Sequence, residues 1–573
     1  MTFAGRPATA ATDAVRIARD FLLDHPHDYD TVVRDFAWPK LTEFNFALEW
    51  FDVVAGEHPD RAAVTIVDDE TGHVETWTYG DLARRSDQVA SWLTRMGMRA
   101  GDRVIVMLNN TIELWEVLMA LMKVNAVAIP TSTLLNEEDI AWRVESAGAR
   151  FAIAPATLAE RFHLVRPDAT LIAVGDDVDG WLRWEDSLGA PDHFTPDGPT
   201  PADSTSLLYF TSGTTARPKL VRHTQVSYPV GHLSTMYWLG VRPGDVHLNI
   251  SSPGWGKHAW SNFFSPFLAQ ATVFIVNYDR FNAERLLKVM DAHQVSSFCA
   301  PPTVWRMLIQ ADLSHLTRPP RELVGAGEAL NPEVINKVRA AWGNTIRDGY
   351  GQTEMTCAVG NSPGQPVRIG AMGRPLPGYR VVLLGTQTGE RLEGPGEGEI
   401  CLDLSHDHAG LMGGYFEAPE LTAEACRDGY YHTGDIGERD EDGYITYVGR
   451  ADDVFKASDY KISPFELESA LMLHEAVVEC AVVPSPDELR GAVPKAYVLV
   501  GAAHRAGPEL AASLFAHCRE HLNGYQLVRI LEFVEALPKT ISAKIRRVEL
   551  RDAEAERVAS GIVEGQYFYR DFQ

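Results

Sequence analysis

The strongest constraint on this chain is an alternation that starts at Trp77: residues 81–98 carry apolar side chains at helical spacing, residues 103–108 form a buried-strand run, and residues 113–123 return to helical spacing. Such alternation predicts an α/β fold of parallel strands whose crossovers are helices lying on the sheet faces. The theme recurs at 272–276, a strand, and at Asn331-Pro332-Glu333, a helix opening. There Asn331 caps, Pro332 sits where a missing N–H costs nothing, and Val334, Val338 and Trp342 share one face. A chain of 573 residues exceeds what one core sustains, so at least two domains are expected. The boundary is placed at Asp452, giving a large N-terminal domain of helix-covered sheets (1–451) and a small α+β domain (452–573). The latter has helix patterns at 464–473 and 508–521 and strand patterns at 477–483 and 495–499. Ahead of the alternation, a helical pattern ends near Pro26 and the aromatic run at 44–51 reads as an arm packed on the main body. Residues 385–398, rich in Gly and Glu, read as a turn-laden connection between short strands.

A net charge of −26 opposes a nucleic-acid backbone, and no long Lys/Arg block overrides it, so nucleic acid is not an expected partner. No window supplies the ~18 consecutive apolar residues of a membrane helix. With no signal-peptide pattern at the start, a cytoplasmic location is expected. Cys299, Cys357, Cys401, Cys426, Cys480 and Cys518 are far apart and form no C-x-x-C pair, which disfavours a zinc site and a disulfide framework and predicts buried small hydrophobes. In so acidic a protein a polyanionic ligand has to be held by local donors: backbone N–H groups, a few cations, or a metal ion.

One segment has that composition. In Tyr209-Phe210-Thr211-Ser212-Gly213-Thr214-Thr215-Ala216-Arg217-Pro218-Lys219 an apolar strand runs into hydroxyls, a glycine and two cations, the donor set of a phosphate cradle, with a solvated turn as the lesser alternative. It is not the G-x-x-x-x-G-K-[ST] loop. Gly325-Ala326-Gly327-Glu328-Ala329-Leu330 is an incomplete dinucleotide fingerprint, because Leu330 stands where Gly or Ala belongs. It reads either as a turn against a planar base or as a structural strand-to-helix turn. Asp348-Gly349-Tyr350-Gly351-Gln352-Thr353-Glu354 gathers an aromatic, a hydroxyl and a carboxylate that could hold Mg²⁺ against phosphates. Taken alone it reads as a helix start. Thr433-Gly434-Asp435 offers a carboxylate to two ribose hydroxyls, Arg450 precedes the boundary, and the basic stretch 538–547 by default is a solvated cluster.

In this order, and over nearly the whole chain, these segments resemble the adenylate-forming superfamily of acyl-CoA synthetases, adenylation domains and luciferase. Ser252-Pro253-Gly254-Trp255-Gly256-Lys257-His258-Ala259-Trp260, the arm at 44–51 and Phe465-Glu466-Leu467-Glu468 are most similar to the acetyl-CoA and medium-chain acyl-CoA synthetase branch. The resemblance implies a small mobile C-terminal lid and an acid–thiol ligase using ATP, Mg²⁺ and coenzyme A. A carboxylic acid becomes an acyl-adenylate, and CoA takes the acyl group. It implies Lys544 as catalytic lysine, with Thr353 and Glu354 at the α-phosphate and Mg²⁺. Nucleotide contacts come from Thr211, Ser212, Gly213, Thr214, Thr215 and Lys219, from Gly325, Ala326, Gly327 and Glu328, from Asp348, Gly349, Tyr350 and Gly351, and from Asp435 and Arg450. Asp452 is the hinge, Ser458, Asp459 and Tyr460 line the CoA channel, and Trp255, Lys257, His258 and Met355 wall the acyl pocket, within stretches 255–264, 299–305 and 349–359.

Ala543 stands where many members have Gly, and an Ala forced to positive φ costs roughly 1–2 kcal/mol. The alternatives are therefore an enzyme with impaired adenylation that mainly thioesterifies a supplied acyl-adenylate, or one that loads a separate carrier protein. A decayed scaffold would have lost Lys544, Glu354 or Asp435, all of which are present. A homo-oligomer is compatible with everything in the sequence.

Overall fold

The computed structural model describes residues 5–211, 218–327, 330, 332–457, 460–539 and 545–572. Its first compact unit comprises Met1–Val381 and Leu402–Tyr430. Here the alternation becomes two helix-covered sheets. One has nine strands, with Ala62–Asp68, Thr272–Asn277, Val246–Asn249, Ser297–Ala300, Glu322–Ala326 and Arg347–Gln352 running parallel in that spatial order. Antiparallel strands close both of its edges. The other has seven strands, parallel from Leu182–Arg183 through Thr205–Thr211, and ends on the antiparallel strand Lys219–Thr224.

Local chemistry sets the helix ends. The helix expected over 81–98 runs Tyr79–Arg95, because the Thr78 hydroxyl accepts the Asp81 N–H while the Asp81 carboxylate accepts from Thr78 in return. Helix Ile112–Val124 stops at Asn125, whose left-handed φ of 58 ends the ladder. The expected arm at 44–51 contains a wide helical turn, Phe46–Phe51, started by the Asn45 side chain. The segment read as a helix start at Tyr350 is instead the end of strand Arg347–Gln352, which turns at Thr353 and Glu354 into the antiparallel strand Met355–Gly360. Parallel pairing with the upstream strand Glu322–Ala326 drew it into the sheet, an influence that no short window contains.

The long helices of this unit are pinned by an interior cation. Lys123, 1% exposed, places its ammonium 2.9 Å from Asp52 and 2.7 Å from Asp87, and donates to the Ala83 carbonyl at 3.0 Å. Arg6 reaches the same Asp52 at 2.9 Å. Burial pushes the Asp52 carboxyl up to about 6 in spite of the opposing Lys123 charge. Replacing Lys123 with Met keeps the packed stem and leaves Arg6 alone to offset the Asp52 and Asp87 carboxylates, so stability is expected to fall by about 3 kcal/mol in chemical denaturation.

His247, on strand Val246–Asn249, is fully buried between the Ser297 and Ser261 hydroxyls at 2.9 and 2.8 Å. Burial lowers its pKa from 6.5 to about 4. The folded state therefore binds fewer protons than the unfolded state between these values. This contribution is intact above pH 6.5, falls as the pH drops toward 4, and then levels off. At pH 5 the loss is about 2 kcal/mol. His247→Gln is expected to remove that much of the difference in unfolding free energy between pH 7 and pH 5.

The second compact unit comprises Val382–Cys401 and Tyr431–Gln573. Compactness thus begins this unit ahead of Asp452 and adds an earlier segment, because strands 396–403, 430–439 and 445–450 belong to one sheet. Residues 452–572 form the expected α+β arrangement. A four-stranded sheet (Val477–Asp487, Gly491–Val500, Ile530–Val534 and Gln566–Phe568) accompanies helices Pro464–Leu471, Pro508–His521 and Arg547–Ala559. Leu467, Leu471, Val482, Val498, Leu514 and Phe515 are among its core residues.

Candidate active site

In the first unit the candidate residues gather at the ends of parallel strands, where α/β sheets present their loops. Thr211 closes strand Thr205–Thr211 and pairs in register with Lys219, so the two ends of the phosphate loop are side by side. Ser212, Gly213, Thr214 and Thr215 lie outside the described residues. The Lys219 ammonium sits 5.1 Å from the Tyr415 ring centroid.

Thr353 and Glu354 form the turn between two strands, and that turn is held from below. The Thr353 carbonyl accepts from His223 Nε2 at 2.7 Å and from the Tyr228 hydroxyl at 3.0 Å. Burial drives the His223 pKa down to about 3, so the ring is neutral. A neutral ring that donates from Nε2 must accept at Nδ1, where the Ser227 hydroxyl lies 3.0 Å away. His223 also stacks on Tyr228, with ring centroids 3.6 Å apart. The Glu354 carboxylate accepts from the Tyr415 hydroxyl at 3.0 Å, and the Glu354 carbonyl accepts the Met412 N–H at 2.7 Å. His223, Tyr228 and Tyr415 escaped sequence reasoning, since each lies 61 or more positions from the turn it supports.

The glycines of this region make room for indoles. A Cβ on Gly349 would lie 2.4 Å from the Trp238 ring, and one on Gly360, its partner in register, 2.5 Å from the same ring. A Cβ on Gly351 would lie 2.4 Å from Cη2 of Trp260. Gly349 and Gly351, read as ligand contacts, are thus spoken for by side chains on at least one face. Trp260 is 6% exposed and donates to the Tyr228 hydroxyl at 3.2 Å.

Around the second glycine turn, Gly327 has φ of +113, which reserves the position for glycine, while a Cβ on Gly325 would find only ordinary contacts, 3.5 Å from Leu330 and 3.8 Å from Trp305. The Ala326 carbonyl accepts from Lys257 Nζ at 3.0 Å. Glu328 lies outside the described residues. Asp348 is buried and its carboxyl is pushed up to about 7 by desolvation, against hydrogen bonds from the Gly349 and Leu330 N–H groups. Tyr350 is half-buried on the same strand.

Of the acyl-pocket candidates, Trp255 and Lys257 are half-buried and Met355 is fully buried. His258 is 2% exposed, hydrogen-bonded to Asn110 at 2.9 Å and 5.8 Å from the Trp115 ring. These partners make it a satisfied interior histidine.

In the second unit, Asp435 lies on strand Tyr430–Arg439 with the Tyr447 hydroxyl and Arg450 Nη1 each 3.4 Å from its Oδ1. Gly434 has φ of +70, and Asp435 N–H donates to the Thr433 hydroxyl. Arg450 Nε is 3.5 Å from Asp452. Tyr460 is 55% exposed and stacks on Tyr525. Ser458, Asp459 and Lys544 lie outside the described residues, as does Ala543. The chain on either side of 540–544 is pinned. Lys539 and Ile545 form a bridge, Lys539 pairs with Glu479 at 2.7 Å, and Arg547 donates to the buried Glu468 carboxylate at 2.6 and 3.1 Å. The stretch read as a solvated cluster therefore has anchored flanks.

Comparison with known proteins accords with this arrangement. A family model described as AMP-binding enzyme matches residues 51–416, and one described as AMP-binding enzyme C-terminal domain matches 466–544. The chain is 40% identical to 4-hydroxybutyrate–CoA ligase 1 of Metallosphaera sedula, over 92% of its own length and 94% of the relative's. It is 34% identical to the mitochondrial acyl-coenzyme A synthetase ACSM3 of Mus musculus, over 95% and 97%. A crystal structure of a Brucella canis acyl-CoA synthetase matches with a TM-score of 0.70 at 31% identity, covering 94% of this chain and 99% of that one.

Proposed function

The chain belongs to the AMP-binding enzyme family and is an acyl-CoA ligase working through an acyl-adenylate, and on that premise we propose that its acid is a short one, of about four carbons. The observation that carries this reading is the Trp260 indole seated against Gly351. Successive strand residues advance at most about 3.3 Å, so a wall at Gly351 stands no more than roughly 7 Å from Thr353, room for a short acid of about four carbons with its carboxylate included. The relative named 4-hydroxybutyrate–CoA ligase 1 handles an acid of that size by its name, which supports the reading.

In the proposed assignment an acid carboxylate oxygen attacks the α-phosphorus, pyrophosphate leaves, and a mixed anhydride with AMP forms. The CoA thiol then adds to the activated carbonyl, loses its proton and expels AMP. Lys544 neutralises charge in the first step, the 211–219 loop and Lys219 receive pyrophosphate, and Asp435, steadied by Tyr447 and Arg450, holds the ribose. Mg²⁺, when bound, supplies further charge neutralisation at the phosphates. Glu354 fits it chemically, as a half-buried hard-oxygen donor whose orientation Tyr415 sets. Rotation of the C-terminal part about Asp452 then presents Tyr460, with Ser458 and Asp459, to the pantetheine arm.

Pyrophosphate release with ATP, Mg²⁺ and CoA across linear acids from two to ten carbons, with benzoate included, tests the reading. A maximum near butyrate or its hydroxylated analogue is expected; a maximum at benzoate or at octanoate and beyond would refute the short pocket. Tyr415→Phe is expected to raise the Mg²⁺ concentration giving half-maximal adenylation several-fold, with thioester formation from a supplied acyl-adenylate unchanged. A cytoplasmic location belongs to the same proposal and is tested by cell fractionation. Among the described residues no helix is long and apolar enough to cross a membrane.

A further inference from the structure

Cysteine spacing argued against a zinc site, yet pairing of distant strands assembles donors that no spacing rule can see. We propose that Glu399, Cys401 and His432 bind one divalent cation of the zinc class. Glu399 and Cys401 are two residues apart on strand Gly396–Asp403, so their side chains emerge on the same face. His432 comes from the neighbouring strand, Tyr430–Arg439. Its Nδ1 lies 2.9 Å from Glu399 Oε2 and 3.7 Å from Cys401 Sγ, and the three donor atoms all fall within 4.8 Å of one another.

A tetrahedral ion with bonds of about 2.0–2.3 Å holds its donors roughly 3.3–3.6 Å apart, so side-chain adjustments of under about 1 Å complete the triangle. A water molecule is left for the fourth position. Thiolate and imidazole favour zinc-like ions, whereas Mg²⁺ prefers oxygen donors, so the Mg²⁺ of the ligase reaction does not compete. Cys401 is buried, while the Glu399 and His432 side chains are 18% and 9% exposed, which places the entrance on their side. Binding converts the thiol to a thiolate and releases its proton to solvent. The site adjoins the Thr433-Gly434-Asp435 turn: Glu399 Oε1 accepts the Gly434 N–H at 3.1 Å, and the Thr433 hydroxyl donates to the Ile400 carbonyl at 2.6 Å.

Titration of the chelator-treated, full-length protein with Co²⁺, without nucleotide, reads the site through sulfur-to-cobalt charge transfer. One equivalent is expected to give a near-ultraviolet thiolate band with tetrahedral visible bands, bleached by Zn²⁺ and unaffected by excess Mg²⁺. Cys401→Ser is expected to abolish the thiolate band, and His432→Gln to weaken binding at least tenfold, each with an unchanged circular dichroism spectrum. If either variant fails to fold, Glu399→Gln serves in its place, with the same tenfold loss expected. Cys426→Ser, at the half-buried cysteine, is expected to keep the band. Absence of a thiolate band in the parent protein, or its persistence in Cys401→Ser, overturns the proposal.

Discussion

Lys544→Ala is expected to slow acyl-adenylate formation about 10³-fold while thioester formation from a supplied acyl-adenylate stays within about threefold of the parent. The first step brings a carboxylate onto an α-phosphate already carrying negative charge, and a positioned ammonium is worth most as that charge concentrates. The second step begins from a mixed anhydride whose carbonyl is already activated and whose leaving group, the AMP phosphate dianion, is resonance-stabilised, so the same cation has less to do. The described residues on either side are anchored: Lys539 and Ile545 form a bridge, and the Arg547–Glu468 pair holds the helix that follows. Isotope exchange between ATP and pyrophosphate measures the first step, and AMP release from synthetic acyl-adenylate with CoA measures the second. An equal fall in both would remove Lys544 from its assigned role. In the same assays Ala543→Gly reports on the neighbouring departure. A rise of up to about tenfold in exchange is expected if the loop needs positive φ at this position.

Trp260→Ala is expected to raise the ratio of kcat/KM for octanoate over butyrate about 10³-fold, since each methylene admitted to or left unsupported in an apolar pocket is worth about 1–3 kcal/mol. Two effects add. Longer chains enter the space that the indole vacates above Gly351, and butyrate loses the wall that positions it. The substitution also removes the donor to the Tyr228 hydroxyl, which itself donates to the Thr353 carbonyl, so some general loss of kcat is expected for every acid. Trp260→Leu opens less space and is expected to shift the optimum by one or two carbons, which separates pocket length from damage to the Thr353 support. If both variants keep the parent's chain-length profile and lose only kcat, the indole supports the turn and does not wall the pocket.

Much of this was legible beforehand. Helices 79–95 and 112–124 and strands 103–106 and 272–277 came from periodicity, because a buried face imposes its repeat on the residues that form it. The motifs from Thr211 through Asp435 to Lys544 are each ambiguous alone, and it was their ordered resemblance to the adenylate-forming superfamily that pointed to the chemistry. Boundaries were less legible. Strands 477–487 and 491–500 are longer than the patterns that announced them, since pairing continues while a partner strand is available. The turn at Thr353 and Glu354 looked like a helix start because the parallel partner of its first strand, Glu322–Ala326, lies well upstream in the chain.

By itself, then, the sequence determined the α/β class, which depends on local periodicity, and, through the resemblance of its ordered motifs to a known family, the ligase chemistry. Only the tertiary structure decided what stands behind those motifs. It paired His223 and Tyr228 beneath Thr353, set Tyr415 on Glu354, laid Trp238 and Trp260 on glycines that looked like ligand contacts, and brought Glu399, Cys401 and His432 together across two strands. Each of these relations joins residues that the order of strands in a sheet makes neighbours. That order is set by the collective burial of whole elements, and no single segment of the chain contains it.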